Sequence, residues 1–464
     1  MEERHLTPLD ATFLELEEGD ESAHMHVGWA MIFEPLPEGG TPSLEAVREL
    51  LAERLELLPL FLCRLSSQHT GRLSWPSWEP DPEFDVANHV RHATLPALGG
   101  EAELLDWLGD FYSHRLDRGR PLWETTLLDG LEDGGWALAT KVHHSLVDGI
   151  SGASVTTVIL DAEQHPEPGS KGVLAGVAEG ASGESNGHGP LAALAGGARA
   201  GVDLALHPRK LGPLLSRSRS VAELLVEEIV SAPQTSLNTA IGGNRRLDAF
   251  YTSLAELKAI KNELGGTVND VVLAASAGGL RRFFDQRGEP LPEAALRAMV
   301  PVSVRQAGEA LALGNKVSSL FVELPVAEPD PLLRYRKAVA AAEELKGGEQ
   351  AAGAETLVGL AGATPPVVHG AVARLAFTPR LFNLTITNVP GPQATLYALG
   401  APLRRVVPLV PIFAGHALGI AVVSYDGEVA FGLNADRAKV PDLDVLRDGI
   451  EDSLDELREL AARA

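Results

Sequence analysis

Two adjacent histidines followed by an aspartate and a glycine are the residues of this chain best suited to chemistry: His143-His144-Ser145-Leu146-Val147-Asp148-Gly149. Imidazole is the side chain whose ordinary pKa best suits proton transfer near neutral pH. The carboxylate of Asp148, in an Asp-Gly turn with Gly149, can lock the loop that presents that imidazole. A strand-like run over 136–142 leads into the pair. On an extended segment alternate side chains face opposite ways, so His143 and His144 do not both enter one cavity. One is expected to be a base facing a cleft, while the other packs or hydrogen-bonds behind it. His144 and Asp148 alone make a poor metal site, and no further His/Cys cluster stands at ligand-like spacing, so no metal is expected.

Several elements must hold this loop in place. A first strand is read over 25–33, a helix starting at Thr41-Pro42 with its apolar face at Leu44, Val47, Leu51, Leu55 and Leu58, and another helix over 104–112. Strands over 123–128 and 136–142 flank a turn-rich segment, and a helix over 149–160 leaves the histidine loop. The second half repeats the mixed pattern. Helices are read over 255–264, 269–284, 333–345 and 443–460, with strands over 296–304, 317–324, 384–388, 418–425 and 428–433. The last two strands meet at Asp426-Gly427, a hairpin signal. Between the halves, residues 164–190 are rich in Gly, Ser, Ala, Pro and Glu, as in a linker. Residues 191–220 then form an Ala/Leu-rich crossover carrying Arg199, Arg209, Lys210, Arg217 and Arg219. This segment reads as a solvated crossover helix or as a lipid-surface contact.

Composition narrows the classes. At 464 residues the chain is too long for one ordinary core, and two domains are expected. A net charge of −24 argues against nucleic acid and against broad adhesion to anionic lipid, both of which need basic surface. An anionic ligand must therefore meet a local basic patch, for which Arg118, Arg120, Lys141, Arg245 and Arg246 are candidates. Cys63 is the one cysteine, so no internal disulfide can form and a reducing compartment fits. The opening residues lack the basic-then-apolar order of a signal peptide. The most apolar long run, 406–423, is broken by Pro408 and Pro411 and reads as buried strand and turn rather than a membrane span. A cytoplasmic location, with peripheral contact at a membrane or lipid droplet, is the expectation.

Other motifs have adequate structural explanations. Asn269-Asp270 follow two glycines and open an apolar helix, so capping accounts for them. Pro121-Leu122-Trp123 sit where a strand begins, and Trp123 suits a core. In Asn388-Val389-Pro390-Gly391-Pro392 the prolines and glycine fix a strand exit. Arg305, ending a buried strand, needs a carboxylate partner. His416 suits a core or channel-wall position.

Taken in order, these motifs resemble the bacterial wax ester synthase/diacylglycerol acyltransferase family, within the superfamily of CoA-dependent acyltransferases and condensation domains. The resemblance runs through Leu6-Thr7-Pro8-Leu9-Asp10-Ala11-Thr12-Phe13, His24-Met25-His26-Val27-Gly28, Pro121-Leu122-Trp123-Glu124 and the His143–Gly149 motif. It continues through Thr267-Val268-Asn269-Asp270-Val271, Pro301-Val302-Ser303-Val304-Arg305, Thr387-Asn388-Val389-Pro390-Gly391-Pro392 and Ser424-Tyr425-Asp426-Gly427. It implies an α/β fold of two chloramphenicol-acetyltransferase-like subdomains with a tunnel at their interface. The first would span 1–163, the linker and crossover 164–220, and the second 221–464. It further implies acyl transfer from acyl-CoA, as co-substrate and not a permanently bound cofactor, to diacylglycerol or a fatty alcohol. His144 matches the family's catalytic position; His143, Asp148 and Gly149 complete the motif, with Arg305 as the partner of Asp148. Pro121, Leu122, Trp123, Asn269, Asp270 and Arg305 would support substrate binding. A non-lipid acceptor, or a non-catalytic lipid-surface protein of the same fold, are the alternatives.

Overall fold

The structure, a computed structural model, describes residues 4–66, 76–96, 99–147, 155, 158–166, 232–303, 317–347, 370, 374 and 376–463. Asp148, Gly149, Arg305, most of the expected helix over 149–160 and the whole 191–220 crossover lie outside the described residues.

The first elements are built by local rules. Thr7 caps helix α1 (Pro8–Gly19): its hydroxyl accepts from Asp10 N–H, the Asp10 carboxylate answers the Thr7 N–H, and Pro8 fills the first turn, where a missing donor costs nothing. After β1 (Arg4–His5) and α1 come β2 (His26–Phe33), α2 (Leu44–Leu55), β3 (Cys63–Leu65), β4 (Ser77–Pro80), β5 (Val90–Thr94), α3 (Glu101–Ser113), β6 (Trp123–Asp129) and β7 (Trp136–His143). The second half contributes β8 (Arg245–Ser253), α4 (Leu254–Leu264), α5 (Val268–Arg287), β9 (Leu296–Ser303), β10 (Val317–Leu324) and α6 (Pro331–Gly347). It ends with β11 (Leu384–Pro390), β12 (Tyr397–Ala398), β13 (Ala401–Leu409), β14 (Leu418–Tyr425), β15 (Glu428–Asp436) and α7 (Leu443–Arg463).

Two six-stranded sheets result, beside a small β1-β4-β3 sheet. The first runs β12-β13-β2-β7-β6-β5 and the second β10-β9-β11-β14-β15-β8. Apolar residues of α2 cover one face of the first sheet, and those of α3 cover the other. Helices α4, α5, α6 and α7 join the second sheet in one large core. The observed α/β class agrees with the expected one. Beyond the expected elements, the structure adds β5, β8, β12, the opening of β13 before residue 406, α1 and the small sheet.

Late strands complete the early sheet. β13 pairs with β2, placing Val406 opposite Met31 and Pro408 opposite Trp29. Its other side lies against the second sheet so closely that a Cβ on Gly432 would stand 2.0 Å from the Pro408 carbonyl oxygen. The Tyr425 hydroxyl holds this crossing: it accepts from Leu396 N–H at 2.8 Å and donates to the Leu403 carbonyl at 3.0 Å. Helix α1 is a second bridge. Its Ala11 and Leu14 belong to the first core, and its Phe13 and Leu16 to the second. Among the described residues no helix is long and apolar enough to cross a membrane.

Candidate functional site

Strand β7 delivers the histidine pair, and its neighbours hold the two backbones. His143 pairs with His26 across β2–β7, its N–H donates to the Leu122 carbonyl, and the His144 N–H donates to the Met25 carbonyl at 2.8 Å. The residues before each half of the motif therefore set where the imidazoles begin.

The two rings go to different neighbours. His143 is 1% exposed and turns into a buried polar cluster. Its Nδ1 accepts from Ser145 N–H at 3.1 Å and lies 2.7 Å from the Ser145 hydroxyl. Because a backbone amide can only donate, Nδ1 is the acceptor and Nε2 carries the proton. Nε2 stands 3.7 Å from one carboxylate oxygen of Glu17, and His26 Nε2 stands 3.7 Å from the other. Arg118 donates to Glu17 at 2.7 and 3.2 Å, and Arg115 reaches it at 3.1 Å. Burial pushes the Glu17 carboxyl up, but the facing N–H of His143 and the Arg118 guanidinium outweigh it. Together these hold the group well below the usual carboxylate range. Burial also holds His26 and His143 below their ordinary values, although Glu17 pulls each the other way. A neutral His143 behind a carboxylate clamped by two arginines is a scaffold, not a cleft-facing base.

His144 is half-buried and lies outside that cluster. Its ring stacks on Phe13 with centroids 3.8 Å apart and planes 8° from parallel. Helix α1 thus touches both imidazoles from one face, Phe13 on His144 and Glu17, one turn on, at His143. Sequence reasoning named Phe13 only as the end of the opening motif, with no role at the histidines, and did not name Glu17. The Thr7-Pro8 start and Asp10 do signal a helix there, but nothing local connects that helix to a loop so distant in sequence.

The supporting residues separate into groups. Pro121, Leu122 and Trp123 are buried; Trp123 stacks on His89 at 4.6 Å and its Nε1 donates to the Phe61 carbonyl. Asp270 is the reciprocal partner of Thr267, the capping residue of α5. Asn269, beside it, faces Asn388 at 3.4 Å. The Asn-Asp motif and the strand-exit motif therefore meet, a pairing not visible in the sequence. The strand exit meets the last motif too: Gly391 N–H donates to the Ser424 hydroxyl, and a Cβ on Gly391 would stand 2.3 Å from the Ser424 carbonyl oxygen.

Three of the five basic candidates do not form a free basic patch. Lys141 is buried with its ammonium on the Phe111 and His114 carbonyls, and burial lowers its pKa although Glu124 opposes that. Arg245 is buried, and Arg118 is committed to Glu17 and Glu18. Arg120 is exposed beside Asp117, and Arg246 is half-buried beside Asp444. His416 is a core residue, stacked on Phe382 at 3.9 Å and pushed down to about 4 by burial. Cys63 is buried, which raises its thiol pKa, and its Sγ faces the Pro59 carbonyl. Among the described residues no three His, Cys, Asp or Glu side chains converge as a metal site would require.

Comparison with known proteins adds to this geometry. The family described as wax ester synthase/diacylglycerol acyltransferase catalytic domain matches residues 6–272, and its companion C-terminal domain matches 313–458. A probable diacylglycerol O-acyltransferase of Mycobacterium tuberculosis is 32% identical over 463 residues, covering 99% of this chain and 96% of that protein. The solved wax ester synthase/diacylglycerol acyltransferase of Marinobacter aquaeolei VT8 is 30% identical with a TM-score of 0.72, covering 99% of this chain and all of that one (100%). The first condensation domain of the calcium-dependent antibiotic synthetase shares the fold, with a TM-score of 0.62 at 17% identity over 99% of this chain and 97% of that one.

Proposed function

The chain belongs to the wax ester synthase/diacylglycerol acyltransferase family, and from that premise we propose that it moves a long-chain acyl group from acyl-CoA to the hydroxyl of diacylglycerol or a fatty alcohol, with His144 as general base. The observation that carries this reading is the division of labour between the two imidazoles. His143 is enclosed and committed to Ser145 and Glu17, while His144 keeps a partly open position at the end of β7.

The chemistry follows from a weak nucleophile meeting a thioester. His144 takes the acceptor's hydroxyl proton as the oxygen attacks the acyl carbonyl. The tetrahedral intermediate collapses with loss of the C–S bond, and the imidazolium returns the proton to the departing CoA thiolate. No covalent acyl-enzyme is needed, and the buried Cys63 has no part. The interface of the two halves is the proposed tunnel. Contact with a lipid surface or droplet, where such acceptors reside, is proposed from the basic residues that the sequence places at 191–220.

His144→Ala should lower turnover by roughly 10²–10⁴-fold with folding intact. Near wild-type CoA release by the folded variant would refute the assignment. An acceptor screen with one acyl-CoA separates the lipid reading from a non-lipid one: turnover confined to short soluble acceptors would overturn the former.

A further inference from the structure

The contact between Phe13 and His144 is a close, nearly parallel face-to-face stack. Two neutral aromatic rings prefer offset or edge-on arrangements to direct overlap. Here the centroids are 3.8 Å apart and the planes 8° from parallel, so the two faces overlap closely. Overlap of this kind becomes favourable when one ring carries positive charge over the other's π face. If His144 is the base, it acquires that charge as the hydroxyl loses its proton.

Phe13 is itself held firmly. It is 6% exposed and sits on a helix whose start is locked by the Thr7–Asp10 capping box. One turn on, Glu17 is bound by Arg115 and Arg118. Phe13 also meets Phe377, tilted, at 6.4 Å, and Phe377 in turn stacks on Phe413 at 4.8 Å. The ring is therefore backed from the second half of the molecule and cannot move off the imidazole without disturbing α1.

We propose that Phe13 is a positioning residue for His144: its flat face fixes the plane of the imidazole and favours the imidazolium formed as the acyl acceptor is deprotonated. With that face closed, the acceptor hydroxyl must approach in the plane of the ring. The role rests on the reading of His144 as general base.

Phe13→Leu retains apolar bulk without the flat π face, and Phe13→Tyr retains both. Phe13→Leu should lower kcat by about 10- to 100-fold while KM for acyl-CoA stays within about twofold. Phe13→Tyr should remain within about threefold of wild type in kcat. If Phe13→Leu is too unstable to assay, Phe13→Met, which also fills the space without a ring, takes its place. In histidine-labelled protein, the ring-current shift on the His144 protons should be present in wild type and Phe13→Tyr and absent in Phe13→Leu.

A folded Phe13→Leu enzyme with wild-type kcat would overturn the proposal, as would equal losses in the Leu and Tyr variants or unshifted His144 protons in wild type. His144→Ala measured alongside keeps the two claims apart. An active His144→Ala removes the general-base reading itself. An inactive His144→Ala beside a fully active Phe13→Leu removes only the role of Phe13.

Discussion

Glu17 lies 3.7 Å from Nε2 of His143, on the side of that ring away from its hydrogen bond with Ser145. The carboxylate thus faces the ring nitrogen that bears the proton, in a place almost closed to water, with two arginines supplying counter-charge. A helix near the start of the chain thereby sets its charge against the burial that lowers the pKa of an imidazole much further along.

Glu17→Gln should destabilise the protein by about 1.5–3 kcal/mol at neutral pH, the worth of the charge-assisted hydrogen bonds it removes. Because the folded-state carboxyl titrates below its ordinary value of 4.5, its contribution is complete above that value and fades as the pH falls below it. Wild type should lose stability there faster than Glu17→Gln. Parallel curves of melting temperature against pH would remove Glu17 from the account.

His416 acts in a higher window. Its folded-state value is near 4 against an ordinary 6.5, so on acidification the unfolded chain takes up a proton that the folded core refuses. Stability contributed by keeping this ring neutral is full above 6.5 and declines towards pH 4. His416→Phe should flatten the decline measured by chemical denaturation between those values; an unchanged slope would contradict the assignment.

Tyr425→Phe deletes one hydroxyl that serves two backbone groups, Leu396 N–H and the Leu403 carbonyl. Both would be left buried and unsatisfied, at a cost of about 1–3 kcal/mol. Hydrogen exchange should quicken at Leu396 first. Unaltered protection at that amide would show that the hydroxyl is not what holds the crossing.

Gly28→Ala tests a motif position that carries no chemistry. A Cβ there would lie 2.3 Å from Cε1 of Tyr112, whose hydroxyl donates to the Thr140 carbonyl. The overlap should cost about 1–3 kcal/mol. A double variant, Gly28→Ala with Tyr112→Leu, should recover part of the loss, and failure to do so would place the strain elsewhere.

Much of the second sheet was legible because its strands are short, mostly apolar runs bounded by turns. The expected strands over 317–324 and 418–425 match β10 and β14. The hairpin signal at Asp426-Gly427 corresponds to a turn with positive φ at both residues, 44° and 83°. β13 was legible only from residue 406: Arg404-Arg405 and two prolines break the alternation that marks a strand, and its burial comes from surfaces supplied by both halves. The paired histidines could be read from type and spacing alone. Phe13 and Glu17 could not, since their meaning lies in where α1 docks, and no local pattern encodes a docking site.

The pairing of β13 with β2 makes the halves of this chain poor interchangeable parts. The family is described in two blocks, yet the edge of the first sheet is manufactured by the second block. A chimera joining the opening block of one relative to the closing block of another would set a foreign β13 beside β2, with Met31 and Trp29 meeting unfamiliar neighbours. Recombination that preserves the enzyme must carry residues 401–409 with the strand they complete, so inheritance in this fold follows the sheet and not the order of the chain.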